Sequence, residues 1–161
     1  MSPNVYIILV NYNGYLNTIE CLESVLKLNY DAYNVIVVDN STDDSFKMFH
    51  EWCNKVVAVQ TDFSNIVLPY ISKPVNCIFA NEGDVVKFSG NTGSLLFVKS
   101  KENKGFAAGN NLALRLIDDL KYDYVWLLNN DTVVERDSLL ELVKAAKSSP
   151  NKTGMWGSKL L

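Results

Sequence analysis

The chain has 161 residues, which is about the length of one domain. Hydrophobic residues make up 48% of the sequence and charged residues 20%, which excludes an intrinsically disordered chain. The net charge is −3, and nucleic-acid binding is disfavoured because it normally requires a basic excess. The sequence has no apolar run of the ~20 residues that a membrane helix needs, and no signal-peptide pattern, so we expect a cytoplasmic protein.

Strand and helix patterns alternate along the chain. In chain order, they are a strand at 5–10, a helix from about 17, a strand at 35–38, a helix at about 45–53, a strand at 95–98, a helix at about 106–120, a strand at 124–128 and a helix at 138–147. Asn17 and Glu20 have the spacing of a capping box, which predicts where the first helix begins.

The segment at about 54–93 does not follow this alternation. Val56–Val59 has the composition of a strand, and Cys77–Ala80 and Val85–Phe88 flank a glycine-containing turn, which is typical of a hairpin. A segment this long between elements is usually functional or mobile. We interpret it as an insertion in a single domain that spans 1–161.

Cysteine and histidine restrict the possible chemistry. The three cysteines (Cys21, Cys53 and Cys77) are an odd number without a CxxC pair, which argues against a disulfide framework and against structural zinc. We therefore expect reduced thiols. The single histidine, His50, leaves little room for a histidine metal site or a Ser-His-Asp triad.

The alternation predicts an α/β fold with a mostly parallel sheet and flanking helices. Ligands of such sheets bind beyond the carboxyl ends of the strands. Small polar and amide side chains stand where four predicted strands end, at 11–13, 39–41, 102–105 and 129–131. Because these ends meet at one edge of a parallel sheet, we expect a site for a polar ligand there.

The residue types at this edge suit a nucleotide or a sugar. Asp39 and Asp131 offer carboxylates that accept hydrogen bonds from a base or a ribose, or that bind Mg²⁺ or Mn²⁺. Gly105 lets the backbone approach a ligand closely at a helix start. The sequence has neither GxxxxGK[ST] nor GxGxxG after its first strand, which argues against a P-loop enzyme and an ordinary NAD(P) site.

Four blocks occur in order along the chain: Val5–Gly14, Val37–Ser45, Glu102–Asn111 and Trp126–Thr132. Together they resemble the family 2 glycosyltransferases of the GT-A fold, and look most similar to the bacterial rhamnosyltransferase-like branch that builds surface polysaccharides. Each block alone is a weak signal, whereas four in series are highly specific. The resemblance covers about 1–53 and 94–161. It implies metal-dependent, inverting transfer of a sugar from a nucleotide diphosphate to a hydroxyl of a glycan or lipid-linked acceptor.

The resemblance also implies nucleotide-sugar-binding positions. They are the loop beside the nucleobase (Asn11, Tyr12, Asn13), the carboxylate that reads the base with its neighbours (Asp39, Asn40, Ser41), the residues around the nucleotide pocket (Asn103, Lys104, Gly105, Gly109, Asn111), and Asn130 in the metal motif. Asp39 is an acceptor for a pyrimidine N3–H, so we expect a UDP- or dTDP-linked donor.

The segment Asn129–Asp131 stands where the family has its Asp-x-Asp motif, so the resemblance implies that Asp131 binds Mg²⁺ or Mn²⁺. Asn129 replaces the first carboxylate, and we expect weak metal binding until the diphosphate arrives. The family's general base lies beyond this motif, in an acceptor-binding half. We therefore expect it beyond Leu161, with the catalytic residue unknown and 1–161 as the donor-binding half. We would then expect this donor-binding half to associate with the missing half or with the inner face of the cell membrane.

Two other functions remain open. One is a non-catalytic module that binds a nucleotide sugar or a partner protein, since the sequence shows no general base. The other is a sugar nucleotidyltransferase, which normally carries a glycine-rich, arginine-containing loop after its first strand. The segment Asn11–Gly14 lacks that loop, so this function is less favoured.

Overall fold

The fold is built on one parallel sheet. This computed structural model describes residues 2–84, 93–149 and 154–155. The strands are β1 (Val5–Asn11), β2 (Tyr33–Asp39), β3 (Cys77–Asn81), β4 (Leu95–Lys99) and β5 (Tyr124–Leu127). Their order in the sheet is β3-β4-β2-β1-β5, and all four pairings between them are parallel. The predicted α/β fold is confirmed.

Helices cover both faces of this sheet. They are α1 (Tyr15–Val25), α2 (Ser45–Asn54), α3 (Ser64–Val67), α4 (Gly105–Ile117) and α5 (Ser138–Ser148). On one face, alternate side chains of β1, β2 and β4 pack with α1, α2 and α5. On the other face, the intervening side chains pack with α4. None of these helices in the described ranges is long and apolar enough to cross a membrane.

This layering explains the composition of the central strands. Every residue of β1 and β2 is buried, because helices lie above and below them. A strand that is buried on both faces favours continuous Val, Ile and Leu rather than alternation with polar residues. Burial of each such side chain stabilises the fold by about 1.5–3 kcal/mol. The polar side chains are therefore concentrated where these strands end.

The start of α1 differs from the expected capping box. The helix begins at Tyr15, its N-cap is Gly14, and no side chain caps it. Thr18 is fully buried, and its hydroxyl lies 2.9 Å from Asn11 Oδ1 and 3.3 Å from the carbonyl oxygen of Gly14. The first turn of the helix is therefore linked to the end of β1 through Thr18. The expected capping box of Asn17 and Glu20 is absent.

Part of the expected insertion belongs to the sheet. β3 forms the edge of the sheet and pairs in parallel with β4. The segment Val56–Val59 is not a strand. The second arm of the expected hairpin, Val85–Phe88, lies outside the described residues.

A buried carboxylate holds the segment that precedes β3. Glu23 in α1 is fully buried and accepts hydrogen bonds from Trp52 Nε1 at 2.8 Å and from the backbone N–H of Ile71 at 2.7 Å. Lys73 Nζ lies 3.2 Å from the same carboxylate and 3.6 Å from the centre of the Trp52 ring. A buried charge is tolerated only when it is paired and hydrogen-bonded, so these contacts fix residues 71–73 against α1 and α2.

The expectation of three reduced cysteines is wrong for two of them. Cys53 at the end of α2 and Cys77 at the start of β3 form a disulfide, whereas Cys21 is a buried free thiol. The two bonded residues are separated by 24 positions in a segment without a clear pattern. Cysteine spacing alone therefore could not show that the fold brings them together.

Gly109 is a packing residue of α4. A Cβ atom at this position would lie 2.8 Å from Val10 Cγ1 and 3.2 Å from Asn40 Nδ2. Such distances are too short for a side chain, so the glycine allows α4 to approach β1 closely.

Reduction of the Cys53–Cys77 disulfide should lower the free energy of unfolding by about 3 kcal/mol, because the bond closes a loop that is open in the unfolded, reduced chain. Urea denaturation with and without a reductant measures this change. The doubly substituted C53A/C77A protein is the control and should not respond to the reductant. Equal midpoints of the wild-type protein in the two conditions would contradict the bond.

Gly109→Ala should destabilise the protein by about 1–3 kcal/mol, because the added methyl group overlaps Val10. Gly14→Ala is the matched control, since a Cβ there meets its nearest atoms at 3.7 Å and the residue has a negative φ. Its cost should stay within about 1 kcal/mol, the range of N-cap substitutions. Thermal unfolding measures both variants, and similar melting temperatures for the two would count against close packing at Gly109.

Candidate functional site

The strand register aligns polar residues along one edge of the sheet. Asn11 pairs with Asp39, Asp39 with Lys99, and Asn81 with Lys99. Because β5 is parallel to β1, it ends on the same side, and we call the ends of the five strands on this side the carboxyl edge. β1 lies between β2, which follows it through α1, and β5, which follows α4 on the opposite face. This reversal of direction is where open α/β sheets bind ligands.

The Asp39 carboxylate is the buried charge of the carboxyl edge. Its residue has no exposed surface. Oδ1 accepts hydrogen bonds from Asn11 Nδ2 at 2.8 Å, from the backbone N–H of Ser41 at 3.2 Å, and from the Ser41 hydroxyl. Oδ2 accepts a hydrogen bond from Lys99 Nζ at 2.8 Å. The desolvation cost of this carboxylate is thus offset by a counter-ion and three further donors.

Asn11 joins this carboxylate to the turn after β5. Its Nδ2 donates to Asp39 and, at 2.8 Å, to the Ser41 hydroxyl. Its Oδ1 accepts from the Thr18 hydroxyl at 2.9 Å and from Asn130 Nδ2 at 3.3 Å. Two donor and two acceptor contacts use the full capacity of the amide. One network therefore runs from Lys99 through Asp39 and Asn11 to Asn130.

The loop after β1 is held against the same network. Asn13 has φ +51°, a left-handed conformation that asparagine adopts more readily than most residues. Its backbone N–H donates to the Ser41 hydroxyl at 2.8 Å, and its Oδ1 accepts from the backbone N–H of Thr42 at 3.0 Å. Tyr12 is 55% exposed beside it. The loop is thus fixed at its backbone while the Tyr12 ring stays accessible.

The start of α4 lies next to β2. Gly105 has φ +86°, and a Cβ added there would meet nothing within 4 Å, so the space in front of it is open. Its N–H donates to Asn103 Oδ1 at 2.8 Å, and its carbonyl oxygen accepts from Asn40 Nδ2 at 3.4 Å. The Asn40 contact joins the start of α4 to the residue that follows β2. The N–H groups at a helix start carry a partial positive charge.

Three expected site residues of this segment stand apart from the network. Lys104 pairs with Glu102 at 2.6 Å, and both side chains are about two-thirds exposed. Asn111 is exposed, whereas its neighbour Asn110 is buried and donates to the carbonyl oxygen of Phe106 at 3.0 Å. Gly109 is occupied with packing, as described above. The structure gives these three residues no contact with Asp39 or Asn11.

The turn after β5 carries the expected metal residues. Asn130 Nδ2 donates to the Thr18 hydroxyl at 2.9 Å, and the carbonyl oxygen of Asn129 accepts from the backbone N–H of Thr132 at 3.3 Å. Asp131 is exposed and makes no hydrogen bond or ion pair within the described ranges. Burial raises the pKa of the nearby Cys21 to about 12, and the Asp131 charge adds to this effect. Cys21 therefore remains a neutral thiol.

The donor set of this turn fits a hard cation only in part. The Asp131 carboxylate and the Asn129 amide oxygen are ligands that Mg²⁺ and Mn²⁺ accept. Across residues 2–84, 93–149 and 154–155, no group of three or more His, Cys, Asp or Glu side chains could hold a metal ion. A cation at Asp131 would therefore take its remaining ligands from water or from a bound anion.

Sequence reasoning missed two residues of the network. Lys99 supplies the counter-ion of Asp39, and its only sequence signal is a lysine directly after the apolar run Leu95–Val98. Thr18 bridges Asn11 and Asn130, and within an amphipathic helix its sequence position carries no distinct signal. Both positions become recognisable only once the strand register and the approach of α1 are known.

The pattern of residues 6–65 matches the family model described as glycosyl transferase family 2. This part of the chain contains β1 from its second residue, α1, β2 and α2, and therefore Asn11 and Asp39. No curated protein sequence matches the chain significantly.

Solved structures share the fold at low sequence identity. A mannosyltransferase from Pyrobaculum calidifontis, solved with GDP-Man and Mn²⁺, is 21% identical with a TM-score of 0.61, and the match covers 93% of this chain and 34% of that one. The S. aureus protein TarS, solved as a fragment with UDP-GlcNAc, is 17% identical with a TM-score of 0.56, and the match covers 89% of this chain and 31% of that one.

The chain thus spans about a third of the length of these two structures. At these identities the likeness establishes the fold alone. The protein has the fold of the GT-A nucleotide-sugar transferases, and its residues 6–65 match the family 2 glycosyl transferase model.

Proposed function

We propose that this chain binds a nucleotide diphosphate sugar at the carboxyl edge and forms the donor-binding part of a glycosyltransferase. The observation that carries the proposal is the buried network of Asp39, Asn11 and Asn130 at the point where the strand order reverses. A buried, fully hydrogen-bonded polar network at a ligand-binding edge is typical of a preorganised site. The family match over residues 6–65 supports a nucleotide sugar as the ligand.

Different residues at the carboxyl edge would bind different parts of the nucleotide-sugar donor. Asp39 accepts a hydrogen bond from the base, and the exposed Tyr12 ring offers a surface beside it. Asn13 and Ser41 hold the loop in place through their mutual hydrogen bond. Asn103 already accepts the N–H of Gly105, so the N–H groups that follow it in the first turn of α4 would bind the diphosphate, since a helix start favours anions.

Asp131, with Asn129 beside it, would hold the Mg²⁺ or Mn²⁺ ion of a metal-dependent enzyme. When bound, such an ion stabilises the negative charge that develops on the leaving diphosphate. The mannosyltransferase above was solved with Mn²⁺ and GDP-Man, which supports a divalent ion. With one protein carboxylate in this turn, metal affinity should depend on the nucleotide.

The finer assignments are part of the same proposal. We propose an inverting transfer to a hydroxyl of a glycan or lipid-linked acceptor in polysaccharide biosynthesis, and membership of the rhamnosyltransferase-like branch. The four sequence blocks support these assignments. For an enzyme that uses nucleotide sugars, we propose a location in the cytoplasm, including the inner face of the cell membrane.

A second candidate is a non-catalytic module that binds a nucleotide sugar. The observation that favours it is the amide of Asn129 at the position of a metal-binding carboxylate. Turnover of a nucleotide sugar in the presence of Mn²⁺ and a glycan or lipid-linked acceptor separates the two. Sustained transfer excludes the module, and binding without any transfer or donor hydrolysis favours it.

Asp39→Ala should weaken binding of UDP by about 1–3 kcal/mol, because the base loses a buried hydrogen-bond partner. Isothermal titration calorimetry in the presence of Mn²⁺ measures this loss. Asp44→Ala is the matched control, since Asp44 follows the same strand, is exposed and makes no capping hydrogen bond. The affinity of Asp44→Ala for UDP should equal that of the wild-type protein.

Asp39→Asn keeps the shape of the side chain and tests the charge separately from folding. Equal UDP affinity of the wild-type protein and both Asp39 variants would remove this residue from the site. Failure of the wild-type protein to bind any nucleoside diphosphate at millimolar concentration would refute the proposed function itself.

Removal of the divalent ion with EDTA should weaken UDP binding by the wild-type protein roughly tenfold to a hundredfold, the size of a lost charge-assisted contact. With or without EDTA, Asp131→Ala should bind UDP with the lower affinity that the wild-type protein shows in EDTA. Asp118→Ala, another exposed carboxylate variant, is the control and should keep the full metal response. Calorimetry of the three proteins in Mn²⁺ and in EDTA decides the matter.

Two results would contradict this metal assignment. One is UDP affinity of the wild-type protein that does not change with EDTA. The other is tight binding of Mn²⁺ without nucleotide, because a single exposed carboxylate does not hold the ion strongly on its own.

A further inference from the structure

We propose that Lys99 is a specificity-determining residue of the base pocket, where its ammonium and Asp39 Oδ2 together read the imide edge of uracil or thymine. The inference rests on the proposed function and names the nucleobase class of its donor. It assigns a role in recognition to a lysine that the structure shows as the counter-ion of Asp39.

The first step concerns the capacity of the Asp39 carboxylate. Oδ1 already accepts three hydrogen bonds, from Asn11 Nδ2 and from the backbone and hydroxyl of Ser41. A carboxylate oxygen has about two lone-pair positions, so Oδ1 is saturated. Oδ2 accepts a single hydrogen bond, from Lys99 Nζ. A ligand donor that reaches Asp39 must therefore bind Oδ2, on the side of the lysine.

The second step concerns access. Among the groups that contact the Asp39 carboxylate, Asn11 has no exposed surface and Ser41 has 5%. The Lys99 side chain is 27% exposed. Lys99 is therefore the partner of Asp39 that a ligand can reach from the surface. A lysine stem is flexible, so a small displacement of Nζ can admit a ligand donor to Oδ2 while the ammonium remains beside it.

The third step concerns the donors that Lys99 offers. Its ammonium has three N–H groups, and within the described ranges it bonds Asp39 Oδ2 and the carbonyl oxygen of Ser41. One N–H group is left for a ligand acceptor. The pocket thus presents an acceptor, Oδ2, and a donor, Nζ, that are 2.8 Å apart.

Uracil and thymine match this pair, because their N3–H donor lies next to the O4 acceptor. With the ribose and diphosphate held in the same place, cytosine presents the N3 lone pair to Asp39 and an amino group to Lys99, so both contacts become repulsive. Guanine places an acceptor, O6, beside its N1–H donor, so this pair of groups distinguishes uracil and thymine from cytosine but not from guanine.

The experiment compares UDP, CDP and 4-thio-UDP by calorimetry with Mn²⁺. The wild-type protein should prefer UDP to CDP, and the sulfur analogue should bind roughly tenfold more weakly than UDP because it is a poorer acceptor for Lys99. Lys99→Met should reduce the preference for UDP over CDP roughly tenfold to a hundredfold, and should bind UDP and 4-thio-UDP alike. Lys101→Met, two positions along and exposed, should behave as wild type.

The ratio between ligands separates recognition from other roles. If Lys99 only attracted the diphosphate or only kept Asp39 in place, Lys99→Met would weaken UDP and CDP equally, and that result would overturn the inference. Lys99→Gln retains a neutral donor and should keep part of the preference. Circular dichroism confirms the fold of each variant.

Two further results decide the matter if Lys99→Met does not fold. Equal affinity of the wild-type protein for UDP and 4-thio-UDP, or for UDP and CDP, would overturn the inference without any variant and leave the proposed function standing. A wild-type protein that binds none of the three nucleotides would refute the proposed function, and the inference with it.

Discussion

The organisation of the carboxyl edge depends on one buried negative charge. The Asp39 carboxylate has no exposed surface, and an unpaired charge in that position would cost several kcal/mol. Its partners come from β1, from the turn after β2 and from β4, so these segments must be in register before the charge is satisfied. Pairing of the carboxylate therefore fixes the relative positions of three strand ends.

The parts of the fold that could be predicted from sequence are those with local signals. Continuous apolar runs indicated strands that are buried on both faces, and the polar residues after them, such as Asn11 and Asp39, indicated the edge. The residues that were missed have non-local causes. Lys99 matters because β4 lies beside β2, and Cys77 meets Cys53 because β3 joins the sheet edge near the end of α2. A single sequence does not show which strands are neighbours.

Gly109 is a second case in which the role of a residue depends on a contact between elements that are distant in the sequence. The sequence block around it resembles the nucleotide-binding segment of a family, yet the short distance that a Cβ at this position would have to Val10 explains the glycine by helix packing. Gly105, four residues earlier, has the positive φ and the open space that a ligand-facing glycine needs. The resemblance implies the same nucleotide pocket for both glycines, whereas the packing distances show that Gly109 allows the close approach of α4 to β1.

The two halves of the edge differ in how far the protein prepares them. Around Asp39 and Asn11 nearly every donor and acceptor is already paired at 2.8–3.3 Å, so most of this half is organised before any ligand arrives. Asp131 is exposed and has no hydrogen-bond partner among the described residues, so the ligand must organise that half. A preorganised base pocket lowers the ordering cost of binding, because most of its side chains are already held by hydrogen bonds. A metal site completed by the diphosphate would then form only on the correct nucleotide, which couples selection of the base to assembly of the site for the leaving group.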